Sequence, residues 1–521
     1  MIPKPPFPND FTEAEVIERF EALKPRLLEV WDVLTQRDEE PSTSVVVPSM
    51  TLDQEELRKI PGAVYYEERL LFLLIRLRNP KARVVFVTST PLHPLILEYY
   101  FELLAGTPAS HARSRLTMLC AHDASPRSLT EKILERPRLI ERIRAGIPDP
   151  SRAYLTVFNS TPLERRLAVL LGIPLNGVDP RLGHLGTKSG SRKIFREAGV
   201  PLPEGSEDLR DQADVVEALG ELRGRVPALR RAVVKLDDSF SGEGNAIFTY
   251  PADAGRAAIS AALHDLEFAV PSETKAAYFE KFGRMGGIVE EFIEGREKTS
   301  PSVQLRITPH RRVELISSHD QILGGARQQV FLGCTFPARH DYRVDIQELA
   351  LRIGAGLAAQ GVVSRFGVDF LAWRDADQDP WRLSALEINL RMGGTTHPYL
   401  ALRFLTGGDL DPVTGLFHAP GGHTLGYRAT DNLSSANYRG LLPDDLIDIL
   451  TYNKLHYNHR SETGSIFHMI GAASEFGKLG LTVIGKDRSE IDPLYARTLE
   501  MLDRETGWGR RPRASSTPNR T

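Results

Sequence analysis

The chain changes its hydrophobic rhythm about a third of the way along. In the first third, short apolar runs (RVVFVTST at 83–90, RLTMLCAHD at 115–123, AYLTVFNST at 153–161) alternate with stretches of helical spacing such as LILEYYFELLAG and PLERRLAVLLG. Short apolar runs predict buried strands, and their alternation with helices predicts a parallel sheet covered by helices. EELRKIPGAVYYEERLLFLLIRLRNP, upstream of the first run, predicts a further helical stretch.

From about residue 180 the pattern shortens. A helix is predicted from Lys188 to Ala198, stopped by Gly199, with Pro201 just beyond. AVVKLDD (232–238) and AIFTY (246–250) predict strands joined by a turn rich in glycine and serine, and GIVEEFIEG, SVQLRITP and RRVELISSHD predict antiparallel strands. VSRFGVDFLAWRD and WRLSALEINLR predict a hairpin closed by ADQDP. Pairing Trp373 with Leu383 puts Asp369 opposite Glu387. Alternation places Glu387, Asn389 and Arg391 on one face, with Ile388 and Leu390 turned to a core. A last unit, about Gly426 to Arg504, mixes helix and strand.

Composition adds mainly exclusions. The 521 residues are 41% hydrophobic and 26% charged, ordinary for a globular protein. A net charge of -3 gives no basic excess for nucleic acid. The two cysteines, Cys120 and Cys334, have neither CxxC nor zinc spacing and suit free thiols in a reducing compartment. MIPKPPFPNDFTEAEVIERF lacks the apolar core of a signal peptide, and no apolar run is long enough to span a membrane. The expectation is a cytoplasmic protein with no nucleic-acid or membrane partner.

Three features carry candidate chemistry. Asp369, Glu387 and Asn389 are hard oxygen donors on adjacent strands, which suits Mg²⁺ together with phosphate oxygens; the alternative is a solvated hairpin face. Lys235 precedes a loop whose Gly242 and Gly244 let backbone N–H groups approach an anion, although a plain turn explains the glycines equally well. Lys188 opens a helix, where an anion shared with the helix dipole would account for a lysine. His397, between two glycines and Pro398, is either a turn histidine or a substrate contact. GAGLAA at 354–359 has the glycines of a dinucleotide fingerprint but lies inside a helical run, so it reads as close helix packing. No Walker A, HExxH or GxSxG occurs.

The order GTKSGSRKIFREAGVPLP, VVKLDDSFSGEGN, GIVEEFIEG, RFGVDFLAW, ALEINLRMGGTTHP resembles the ATP-grasp superfamily of carboxylate–amine ligases over roughly residues 180 to 425. The whole layout, including NKLHYNHRSETGSIFHMIGAASEFGKLGLTVIG, is similar to the pheganomycin-type peptide ligases. The resemblance implies an α/β chain in four parts. These are an N-terminal Rossmann-like domain (1–178), an ATP-grasp catalytic domain with antiparallel sheets (179–425), a small C-terminal α+β unit (426–505) and a disordered tail (506–521).

It also implies roles. Lys188 and Lys235 fall at the two ATP-phosphate lysines. The loop 237–245, with Ser241, Gly242 and Gly244, corresponds to the flap over the phosphates. Glu291 and Ile293 would bind the adenine through their backbone, and Glu294 the ribose. Asp369, Glu387 and Asn389 match the metal triad for Mg²⁺, with Mn²⁺ as a substitute. Some branches carry an arginine where this chain has Gly367, so the oxyanion role passes to Arg391, with Arg327 or Arg365, and His397 joins the catalytic set. The implied activity is ATP-dependent amide formation through an acyl phosphate, joining a small carboxylate donor to an amine or peptide acceptor in specialised peptide metabolism. Small-molecule or single-amino-acid ligation and a non-catalytic ATP-binding protein are the alternatives. A homo-oligomer is left open.

Overall fold

A computed structural model describes residues 11–36, 40–52, 54–238, 244–252, 255–269, 273–324 and 330–507. The N-terminal part is a parallel sheet of β1 (Ser42–Val47), β2 (Ala82–Thr88), β3 (Leu116–Cys120), β4 (Ala153–Val157) and β5 (Leu175–Asn176), in the order β3-β2-β1-β4-β5. The central strand, β1, is STSVVV, six buried residues rich in β-branched side chains, and it is the strand the alternation pattern misses. The expected helical stretch near residues 55–80 breaks into Gln54–Lys59 and a tighter 3₁₀ segment, Ala63–Arg78, with left-handed Gly62 between them.

The second sheet is antiparallel: β6 (Gly205–Leu209), β7 (Arg231–Leu236), β8 (Asn245–Thr249), β9 (Glu267–Phe268) and β10 (Gly287–Glu291), in the order β6-β10-β7-β8-β9. The third has eleven strands. Its first part comprises β11 (Glu297–Thr299), β12 (Pro301–Ile307), β13 (Val313–Gly324), β14 (Val330–Phe336), β15 (Ser364–Arg374) and β16 (Arg382–Asn389). Its second part comprises β17 (Asp409–Leu410), β18 (Phe417–His418), β19 (Thr424–Ser434), β20 (Gly464–His468) and β21 (Lys478–Gly485). β19 pairs with both β14 and β21, so the sheet runs through residues 425 and 426 without a break. One apolar core joins Phe72 and Tyr100 of the N-terminal part to Phe404 of the centre and Phe467 of the C-terminal part. At the chain end, the last helix runs Arg488–Gly507; the tail expected beyond it lies outside the described residues.

Gly354 sits in the helix His340–Ala359, and a Cβ there would lie 2.6 Å from Val313 Cγ1. This is close packing of helix on sheet, not a nucleotide turn.

Candidate active site

The hairpin β15–β16 sets the site. Its outer part pairs Trp373 with Arg382, one residue away from the expected register. A bulge on β16, opposite the Asp369–Phe370 step of β15, leaves Leu386 without an opposite number, and the register beyond it places Asp369 opposite Glu387. The expected juxtaposition is therefore present for a different reason. The bulge turns Leu386 and Glu387 both toward a cleft of about 1370 Å³, which Asp369, Asn389 and Arg391 also line.

Two lysines converge on this hairpin through one aspartate. Asp237, at the end of β7, accepts from Ser189 N at 2.8 Å through its carboxylate and from Lys188 N at 3.1 Å through its carbonyl. A carboxylate at the start of the helix Lys188–Glu197 also complements the helix dipole. Ser191 Oγ of that helix accepts from Ile388 N at 3.0 Å, fixing it to β16. Lys188 Nζ consequently lies 3.2 Å from Glu387 Oε1, and both lysines line the same cleft. Lys235 forms an ion pair with Glu290, whose second oxygen is 3.5 Å from Arg192 Nη1.

The carboxylates repel each other. Burial, and after it the charge of Glu387, pushes the Asp369 carboxyl up to about 6. Gln321 Nε2 donates to Asp369 Oδ1 at 2.7 Å, and Asn389 Nδ2 to Oδ2 at 3.0 Å. Burial lowers the Arg391 guanidinium, against the opposing pull of Glu387 and then Asp369. Among the described residues no cluster of three or more His, Cys, Asp or Glu side chains converges as a metal site. The set here is two opposed carboxylates and an amide. It fits a hard divalent cation that completes its shell with phosphate oxygens and water, and such a charge would relieve the repulsion that raises Asp369.

The remaining expected residues divide. Glu291 and Ile293 line the cleft. Glu291 N donates to Glu204 O at 2.8 Å and Phe292 N to Arg231 O at 3.1 Å, which makes the Ile293 N–H the candidate donor to a base. Glu294 is outside the lining and is held by Arg231 at 2.7 Å. Gly244 anchors the end of its loop, its carbonyl accepting from Leu236 N and Tyr278 Oη at 3.0 Å each. Ser241, Gly242 and Arg327 lie outside the described residues.

His397 is away from the cleft lining: it is buried, with its Nε2 2.9 Å from His468 Nε2. Burial, then the neighbouring His468, holds its imidazole well below the ordinary range. Arg365 also lies off the cleft, beside a water-sized void, and burial lowers it to about 9. At Gly367 a Cβ would sit 2.5 Å from Gln304 Nε2, so a side chain there would require the Gln304 amide to move.

The sequence reading missed the other wall. Tyr66 and Arg69 from the N-terminal part, and Arg428, Asp431 and Lys478 from the C-terminal part, line the same cleft. Asp431 and Asn432 occupy a bulge where β19 pairs with β21, which turns both inward. No local motif marks them, because the parts meet only in the folded chain.

The chain is similar to known proteins over most of its length. The IQCH-like ATP-grasp family matches residues 180–250 and 270–413, and the PGM1 C-terminal domain matches residues 445–498. The L-propargylglycine–L-glutamate ligase of Streptantibioticus cattleyicolor is 30% identical over 88% of this chain and 94% of its own. IQ motif-containing protein H of Danio rerio is 24% identical, over 78% of this chain and 43% of its own. Among solved structures, the biotin carboxylase of Campylobacter jejuni in its β-γ-ATP complex shares the fold. Its TM-score is 0.54 at 13% identity, over 91% of this chain and 96% of that one.

Proposed function

The chain belongs to the ATP-grasp family, and from that premise we propose that it is an ADP-forming carboxylate–amine ligase joining amino-acid-like substrates. The observation that carries this reading is the opposition of Asp369 and Glu387 within one cleft that also holds Lys188, Lys235 and Arg391. The printed name of the Streptantibioticus relative, a ligase of two amino acids, supports amino acids as donor and acceptor.

The chemistry follows from charge. A substrate carboxylate oxygen attacks the γ-phosphorus of ATP, the bond to the bridging oxygen breaks, and ADP leaves. Two anions must approach, so cations have to converge on the phosphates. Lys188 and Lys235 supply two of them. Asp369, Glu387 and Asn389 would hold Mg²⁺, which supplies charge neutralisation at the phosphate oxygens. Ile293 N–H, with the Glu291 carbonyl, reads the adenine edge.

A neutral amine then attacks the acyl phosphate carbon. Arg391 stabilises the oxyanion of the tetrahedral intermediate, and phosphate leaves as the amide forms. Water would hydrolyse the acyl phosphate, so loop 239–244 is assigned the role of excluding it. No helix among the described residues is long and apolar enough to cross a membrane, and the free Cys120 and Cys334 support a cytoplasmic site of action. The test is ADP release across pairs of amino acids, with mass spectrometry of the product. Release that requires both a carboxylate and an amine, with a product heavier by their sum less water, is the expected result.

A further inference from the structure

The wall that the sequence does not announce carries two buried cations and one carboxylate between them. At the floor of the cleft, Arg69 (4% exposed) and Lys478 (7% exposed) face one carboxylate, Asp431. Arg69 Nη1 takes that carboxylate at 3.0 Å, in a pair buried on both sides. Lys478 Nζ donates to Tyr66 Oη at 2.6 Å and lies 4.9 Å from the centre of that ring. Among the described residues no carboxylate stands within ion-pair distance of Lys478. A buried ammonium whose hydrogen bond goes to a phenol, and whose nearest carboxylate is already taken by Arg69, is costly unless a further anion joins it.

Arg391 and Arg69 influence each other electrostatically, as do Arg69 and Lys478. The cleft thus carries cations in two places, Arg391 with the Asp369–Glu387 pair and Arg69 with Lys478 beside Asp431. The first serves the carboxylate that is phosphorylated. The second needs an anion of its own, and it must be one the ATP phosphates do not provide.

Resting on the ligase reading above, we propose that Lys478, positioned by Tyr66 and flanked by Arg69, binds a spectator carboxylate: a substrate carboxylate that is recognised but not activated. Two sources share this chemistry. It is either the α-carboxylate of an amino acid whose amine attacks, or the second carboxylate of a diacidic donor. Both give the N-terminal and C-terminal parts the same task, which is to complete a substrate pocket the central domain leaves open. Burial lowers the Lys478 ammonium below its ordinary range against the opposing pull of Asp431, with Arg69 adding to the fall, as expected of a cation whose closest partner arrives with the substrate.

The test compares the full chain with Lys478→Gln and the charge-retaining Lys478→Arg. Calorimetric titrations in Mg²⁺ and a non-hydrolysable ATP analogue use L-glutamate, L-glutamine, glutamate α-amide, L-alanine and alaninamide as probes. Wild type should bind at least one carboxylate probe more tightly than its amide. Lys478→Gln should weaken that probe roughly 10–100-fold and leave the amide unchanged, and Lys478→Arg should recover most of the loss. Equal affinity of wild type for carboxylate and amide probes, or equal weakening of both in Lys478→Gln, overturns the proposal.

Turnover separates the sources. With hydroxylamine as nucleophile, a raised donor KM in Lys478→Gln places the spectator carboxylate on the donor. An unchanged donor KM there, with a raised acceptor KM when an amino-acid amine replaces hydroxylamine, places it on the acceptor, and no change in either KM overturns the site. Should wild type form neither ADP nor hydroxamate, the ligase reading fails while the titrations still decide the carboxylate site.

Discussion

Asp369 and Glu387 face each other across two paired strands because a bulge shifts the register by one residue just before they meet. The protein thus places two acids side by side at a point where regular pairing would not. Like charges directly opposite on a sheet are unfavourable, so the arrangement is informative. Lys188 and Arg391 offset part of the repulsion, and Asp369 still stays raised to about 6.

Glu387→Gln removes one of those charges while keeping a group that can meet Lys188. ADP release should fall at least about a hundredfold, the scale expected when a site loses a metal-holding carboxylate. The ligand-free protein should melt no lower than wild type, because the substitution also removes repulsion. Calorimetric melting alongside the ADP assay checks both; near-normal turnover would remove Glu387 from the metal role.

Ile293→Pro tests the base contact, since proline removes the N–H assigned to adenine. The Kd for ATP should rise by roughly tenfold, the order of one hydrogen bond plus its desolvation. The Kd for inorganic triphosphate should stay the same. Equal loss for both ligands, read by calorimetry, would mean that the substitution disturbs the phosphate end instead.

Arg391→Lys keeps the positive charge but loses the planar fork. The kcat should fall about 10²–10³-fold, with a smaller change in the KM for ATP, because the group is assigned to a charge that develops after binding. Steady-state kinetics separates the two. A rise in the KM for ATP alone would place Arg391 on the nucleotide.

Glu68 offers a stability test away from the cleft chemistry. It is a buried residue of the 3₁₀ segment Ala63–Arg78, accepts from Gly471 N at 3.2 Å, and burial pushes it up to about 8. A folded-state value above the unfolded one means that stability is fully present below about 4.5 and is lost as pH rises toward 8. Between those limits the loss is roughly 1.4 kcal/mol per pH unit. Urea melts at pH 5.5 and 7.5 should show this decline in wild type, and Glu68→Gln should flatten it. An identical decline in both would assign the dependence to other groups, Glu67 first among them.

Much of the architecture was legible because periodicity records burial. The parallel N-terminal unit, the hairpin and the helix Lys188–Glu197 each carry their own pattern. The candidate site was legible where chemistry and local pattern coincide: alternation marked Glu387 and Asn389, and the preceding strand supplied Asp369. His397 was ambiguous in the sequence because a histidine shortly after glycines reads the same whether it meets a substrate or another buried histidine, and in the fold it meets His468. The sequence around Glu294 gave no sign of Arg231, which a neighbouring strand brings to it. Tyr66, Arg69, Asp431 and Lys478 were invisible for a topological reason. They lie far apart in the chain and meet only when β19 and β21 extend the central sheet beneath the N-terminal part.

Hydroxylamine trapping reads the central event most directly, because it intercepts an acyl phosphate without a correct amine. Wild-type protein incubated with ATP, Mg²⁺ and a panel of amino-acid carboxylates should yield a hydroxamate and equimolar ADP with at least one of them, and Glu387→Gln should yield neither. ADP formed without hydroxamate, or hydroxamate formed equally well by Glu387→Gln, would contradict carboxylate activation at the Asp369–Glu387 pair.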